Sequence, residues 1–157
     1  MAVARPPTPG FLVWRLSMKW RVAVDRAVAP LGLTHAQYSV LSSLYGMVWA
    51  GERPSQRRLA DHTGLEPIYI SKLVRALEAA GLVERTADPA DTRAVRLALT
   101  EAGTAVAERA IAVVRDLQDE LTAPLGGIRG EGTRNLVRDL EALLAAPNPP
   151  STTGDDQ

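Results

Sequence analysis

The residues best placed to do chemistry lie in the segment Pro67-Ile68-Tyr69-Ile70-Ser71-Lys72-Leu73-Val74-Arg75. Wound into a helix at 100° per residue, it sends Ile70, Leu73, Val74 and Leu77 to one face. Ile68, Lys72, Arg75 and Ala79 go to the opposite face, with Tyr69 and Ser71 on the flanks. Lys72 and Arg75 can donate to guanine O6/N7 or to phosphate, Ser71 and Tyr69 can contact phosphate or base edges, and Ile68 can pack on a thymine methyl. Such a face suits the major groove of double-stranded DNA. On an arbitrary helix the same cations would simply be solvated, so the reading rests on the elements that position them.

Other chemistries find little support. The chain has no cysteine and only two histidines, His35 and His62, which excludes thiol nucleophiles, thiolate zinc sites and disulfides and leaves no histidine-rich metal site. It has no Gly-rich phosphate loop and no G-x-S-x-G elbow. No catalytic residue, metal or cofactor is expected. Net charge is zero over 157 residues, but 13 basic against 8 acidic residues give +5 over residues 1–100, and 5 against 10 give −5 over residues 101–157. The basic excess coincides with the candidate DNA-facing segment, and phosphate neutralisation is local.

Apolar residues at helical spacing (Leu12, Leu16, Trp20, Val24, Ala27) predict a first helix from Phe11 to Ala29, stopped by Pro30. Thr34-His35-Ala36-Gln37 reads as a capping box opening a second helix that reaches Gly51, with Tyr38, Leu41, Leu44/Tyr45 and Val48 on one face. Met47 and Trp49 are expected in the core. Ser55 is the N-cap of a short third helix with Leu59 and Ala60 inward, closed by Gly64. Pro67 opens the fourth helix, which runs to Ala80. The period then becomes alternating: Leu82–Arg85 and Val95–Leu99 read as strands joined by a polar hairpin tip. Thr100 caps a long helix to about Leu121, with Val106, Ile111, Val113/Val114 and Leu117 as apolar positions, and Pro124, Gly126, Gly127 and Gly130 break it. A last helix spans about Glu131–Ala145.

The order of these elements is that of a winged helix-turn-helix. Leu73-Val74-Arg75-Ala76-Leu77-Glu78-Ala79-Ala80-Gly81-Leu82-Val83-Glu84-Arg85, then Asp88-Pro89-Ala90-Asp91-Thr92-Arg93, then Leu99-Thr100-Glu101-Ala102-Gly103, resemble the recognition-helix, wing and fifth-helix signature of the multiple-antibiotic-resistance regulator (MarR) family. Leu59-Ala60 with Gly64-Leu65, and Gly32-Leu33-Thr34 with Gln37-Tyr38 and Leu41, extend the resemblance over residues 10–145. It implies a mainly α fold with a small β wing, a winged helix-turn-helix plus a helical dimerisation domain. It further implies a homodimer that binds a roughly palindromic operator in double-stranded DNA, most often as a repressor.

Within the wing, Asp91 and Arg93 match the family's Asp-x-Arg pair, in which the aspartate steadies an arginine reaching toward the minor groove, where negative potential favours a guanidinium. Ser55, Gln56, Arg57, Pro67 and Arg85 complete the implied DNA-binding set with Ile68, Tyr69, Ser71, Lys72 and Arg75. Family members bind small aromatic or anionic effectors in a cleft beside the winged lobe, and Trp20, His35 and Tyr38 are the residues here that fit such a site.

The expected organisation is a flexible N-terminus (1–9), a first dimerisation helix (10–30), a winged DNA-binding lobe (31–100), C-terminal dimerisation helices (101–146) and a disordered tail (147–157). Neither a signal peptide nor a membrane span is apparent, so a cytoplasmic protein without a membrane partner is expected. The competing reading is a winged-helix protein–protein module without DNA binding, and retention of Arg57, Arg58, Lys72, Arg75 and Arg93 argues against it.

Overall fold

The structure, a computed structural model, describes residues 6–148. The expectations for residues 1–5 and 149–157 therefore lie outside the described residues. The chain divides into two compact units at Leu117/Gln118.

Five of the helices and the hairpin build the first unit: α1 (Pro9–Val28), α2 (His35–Trp49), α3 (Gln56–Thr63), α4 (Pro67–Ala79), β1 (Val83–Ala87), β2 (Val95–Leu99) and the greater part of α5 (Glu101–Leu121). Among the described residues the only sheet is the antiparallel β1–β2 pair, in register Val83 with Leu99 and Ala87 with Val95. The mainly α fold with a β wing is as the sequence predicts. β1 begins and ends slightly later than expected, at Val83 and Ala87.

Local signals set the boundaries. Thr34 and Gln37 form the capping box in both directions, at 3.2 and 2.9 Å, which stabilises the start of α2 by about 1 kcal/mol. Ser55 accepts from the Arg58 amide, and Gly64 at φ +70° ends α3 in the left-handed region that favours glycine. Pro67 occupies the first turn of α4. Thr8 caps α1, two residues earlier than expected.

The core of this unit is one cluster to which every helix contributes. Leu41, Leu44, Leu59, Ile70 and Leu77 are fully buried, each worth about 2 kcal/mol of transfer free energy. Val24 and Val28 bring the C-terminal end of α1 into the same cluster, so α1 is partly a member of the winged lobe.

Two packing expectations need correction. The inward face of α2 is Val40, Leu41, Leu44 and Met47, while Val48 is exposed. Trp49 is 82% exposed and stacks on Tyr45 at 6.3 Å rather than joining the core, because it sits on the last residue of α2, beyond the turn that Met47 anchors. On α5 Val114 is buried and Val106 and Leu117 pack on the core as expected, Val113 is exposed, and Gly103, Ala107 and Ala110 are buried as well, small residues that let the helix backbone lie close to its neighbours.

The second unit holds the end of α5, a short 3-10 turn at Ala123–Leu125, and α6 (Glu131–Ala145). Asp119 accepts from the Ile128 amide at 2.8 Å, and the buried Thr133 donates to the Gly127 carbonyl at 2.6 Å, fixing the turn that leads into α6.

Candidate nucleic-acid interface

The core clamps the inward face of α4, so the opposite face is set by geometry. Ile70, Leu73, Val74 and Leu77 are buried; Ile68, Lys72, Arg75 and Ala79 are exposed and form one stripe along the helix. Ile68 is 83% exposed, Tyr69 is exposed on the flank and Ser71 is half-buried. Among the described residues neither Lys72 nor Arg75 enters a salt bridge. Two cations free to meet an anion thus lie beside an exposed aliphatic side chain.

Beside this stripe a groove of about 700 Å³ opens between α3, the start of α4 and the wing. Ser55, Gln56, Arg57, Pro67, Asp91 and Arg93 all line it, so six residues from three separate stretches of sequence converge. Arg57 and Arg93 are exposed and unpaired among the described residues. Gln56 Oε1 is buried there without a hydrogen-bond partner. Asp61, which sequence reasoning did not single out, also faces the groove.

Arg85 stands apart. Its guanidinium lies 3.3 Å from Glu78 near the C-terminal end of α4, half-buried on β1 and away from the groove.

The wing is held differently from the pairing expected. Asp91 accepts the backbone N–H of Arg93 at 3.0 Å and forms no ion pair with its guanidinium among the described residues. The ion pair of the wing joins the buried Asp88 to Arg96, at 2.6 Å. The Ala90 amide hydrogen-bonded to Asp88, aided by Arg96, holds the Asp88 carboxyl below the usual carboxylate range. Arg96 also donates to the Arg53 carbonyl, and Leu97 N–H donates to the Pro54 carbonyl at 3.0 Å. These bonds tie β2 to the segment leading into α3. Sequence spacing did not disclose this arrangement, since Arg53 and Arg96 are 43 residues apart.

A second concavity, about 520 Å³, lies among α1, α2 and the α3–α4 turn, lined by Arg21, Asp25, His35, Ser39, Leu65 and Tyr69 among others. Of the three effector candidates only His35 lines it; Trp20 and Tyr38 are half-buried and pack on the core instead. Burial lowers the His35 pKa, with Asp25 opposing and Arg21 reinforcing the shift. Burial raises that of Tyr38. Asp25 accepts the His35 backbone N–H at 2.6 Å, fixing the start of α2 against α1. Tyr69 brings α4 into this cleft, so an occupant would touch the stripe-bearing helix.

Residues 31–94 match the model of the MarR family. The HTH-type transcriptional regulator YdcH of Bacillus subtilis is 35% identical over 87% of this chain and 90% of its own length. A MarR-family transcriptional regulator of solved structure from Rhodococcus sp. RHA1 is 33% identical, with TM-score 0.72 over 88% of this chain and 93% of that one.

The chain belongs to the MarR family.

Two further solved members are similar in fold. A mutant MarR from E. coli, complexed with operator DNA, is 26% identical with TM-score 0.75, covering 86% of this chain and 92% of that one. PcaV from Streptomyces coelicolor, in complex with its natural ligand, is 28% identical with TM-score 0.75, covering 92% and 96%. Within the MarR family this chain is a transcriptional regulator with a winged helix-turn-helix, as its sequence signature implies. Among the described residues no helix is long and apolar enough to cross a membrane.

Proposed function

We propose that this regulator is a homodimeric repressor that binds a pseudo-palindromic operator in double-stranded DNA and is released by a small aromatic or anionic effector. It acts in the cytoplasm, where an operator is accessible, and its task is binding rather than catalysis. The observation that carries the reading is the stripe on α4, where Lys72 and Arg75 stand exposed and, among the described residues, without a salt bridge beside the Arg57/Arg93 groove. The likeness to E. coli MarR bound to operator DNA supports it. On this reading α4 enters the major groove while Arg93 reaches the flanking minor groove. Ser55, Gln56, Arg57 and Pro67 meet the backbone, where contacts position without specifying sequence.

The dimer surface is assigned to the apolar faces that remain uncovered. On α1 Leu12, Trp14 and Leu16 are 50%, 59% and 42% exposed, and on α6 Leu143 and Leu144 are 66% and 85% exposed. Faces of this kind call for a partner, and a second copy is the simplest one. Residues 10–30 and 101–146 thus supply the dimer contacts and residues 31–100 the DNA-binding lobe.

The cleft holding His35 is assigned to the effector. Arg21 supplies a donor for an anionic group, while Leu65 and Tyr69 offer an apolar wall. Release from DNA follows if the occupant shifts Tyr69 and with it α4.

Selection of bound fragments from random DNA, followed by titration of the recovered site against salt, tests the reading. A recovered inverted repeat bound with a steep salt dependence is the expected result. Failure to enrich any sequence would contradict it.

A further inference from the structure

The C-terminal end of α4 is joined to the first turn of α5 by a close meeting of backbones. Leu77 accepts the Leu82 N–H at 2.9 Å as the chain leaves α4 through Gly81, φ +74°. Over this turn lies Thr100. Its amide donates to the Leu82 carbonyl at 3.1 Å, its hydroxyl donates to the Gly81 carbonyl at 2.7 Å, and the same hydroxyl accepts the Gly103 amide at 2.9 Å. Gly103 itself is buried, and a β-carbon there would overlap the Leu82 carbonyl oxygen and come within 2.8 Å of its carbon. Backbone meets backbone, so neither side can yield by turning a side chain. No other glycine of the first unit has anything within 4 Å of such an added atom, and the comparable approaches, of Gly130 and Gly132 to Leu125, belong to the second unit.

We infer that Gly103 and Thr100 form the joint that fixes the direction of the recognition helix relative to α5, and so set the half-site spacing that the dimer accepts. The inference rests on the dimeric DNA-binding reading above and adds to it a determinant that touches no DNA. Two recognition helices linked through their dimer helices can engage both half-sites only when their separation matches the operator. A small tilt where α4 meets α5 moves the far end of each lobe by a larger distance. Side chains on the stripe decide which bases are preferred; the joint decides how far apart they must be.

The test compares two operators, the selected palindrome and a version with one half-site scrambled, and a series of palindromes with base pairs inserted or removed at the centre. Gly103→Ala forces the helix off Leu82. It is expected to lower affinity for the parent-spaced palindrome about tenfold, to move the optimum to a different spacing, and to leave binding to the single half-site within about twofold. Thr100→Val removes the hydroxyl bridge without adding bulk, and is expected to broaden the tolerated spacings with an unchanged circular-dichroism spectrum. A joint that merely stabilised the lobe would weaken the single half-site as much as the palindrome. Equal losses on both operators, or an unchanged spacing profile in a folded Thr100→Val protein, would overturn the inference while leaving the DNA-binding reading standing. A parent protein that enriches no operator would overturn both.

Discussion

Arg96 on β2 meets Asp88 on the far side of the wing at 2.6 Å while its guanidinium also donates to the carbonyl of Arg53, ahead of α3. One side chain therefore links the hairpin to the segment that carries Ser55, Gln56 and Arg57. Because the Asp88 carboxyl is held below its ordinary value in the folded chain, its contribution is present above the usual carboxylate range and is lost as pH falls through the depressed value. Asp88→Asn is expected to lower the urea midpoint at neutral pH, and the gap from the parent should close as the solution is acidified below the usual carboxylate range. A gap that is constant with pH would show that the charge of Asp88 is not what holds the wing.

On the wing, Arg93 is exposed and its amide is fixed by Asp91 at 3.0 Å. Arg93→Ala should weaken binding on many sequences alike and reduce the salt slope by about one unit, as loss of a single cationic contact does. Asp91→Ala should weaken it less, because only the turn is loosened. Fluorescence anisotropy on selected and unrelated duplexes measures both.

The uncovered apolar faces of α1 and α6 call for a second copy of the chain. Light scattering at micromolar concentration should give twice the chain mass, Trp14→Glu should shift the protein toward monomer, and removing residues 131–157 should abolish the dimer and tight operator binding together. Removing only residues 147–157 should do neither. A monomeric parent would contradict the assignment of both faces.

On the effector reading proposed above, Arg21, which lines the cleft beside Asp25, is the cation that an anionic ligand would meet. Arg21→Ala should leave operator affinity within about twofold and raise the concentration of an aromatic carboxylate needed for release about tenfold or more, a loss typical of a hydrogen bond to a charged group. Equal sensitivity in parent and variant would exclude Arg21 as the anion contact. His35, its pKa lowered chiefly by burial, is disfavoured from protonating in the fold, so stability should decline as pH drops below the ordinary histidine range.

How much of this was legible in the sequence depended on how local the cause was. Caps and turns were readable because their partners lie within a few residues: Thr34 with Gln37, Ser55 with Arg58, and Gly64 closing α3. The stripe on α4 was readable because one strong apolar face, Ile70 to Leu77, fixes the other by period. On α2 Met47 was placed correctly, but the same reasoning chose Val48 over Val40 and put Trp49 inside, since apolar residues nearly surround that helix and only its neighbours decide which side is covered. On α5 the expected Val114 is buried and Val106 and Leu117 pack on the core, but bulk gave no sign of Gly103, Ala107 and Ala110, whose smallness lets them be buried beside it. The bond from Arg96 to Arg53 and the approach of Gly103 to Leu82 belong to tertiary structure and have no signature in spacing.

The central claim is that the exposed stripe of α4 reads DNA, and the double variant Lys72→Ala/Arg75→Ala tests it most directly. Neither side chain faces the core, so thermal unfolding should match the parent. Titrated across a range of salt on the selected operator, the variant should lose roughly 1 to 3 kcal/mol for each base contact removed and discriminate less at symmetry-related positions of the two half-sites. Where a cation holds phosphate instead, the salt slope should fall by about one unit for each contact. A folded double variant with full affinity, unchanged discrimination and an unchanged salt slope would contradict the assignment of α4 as the recognition helix.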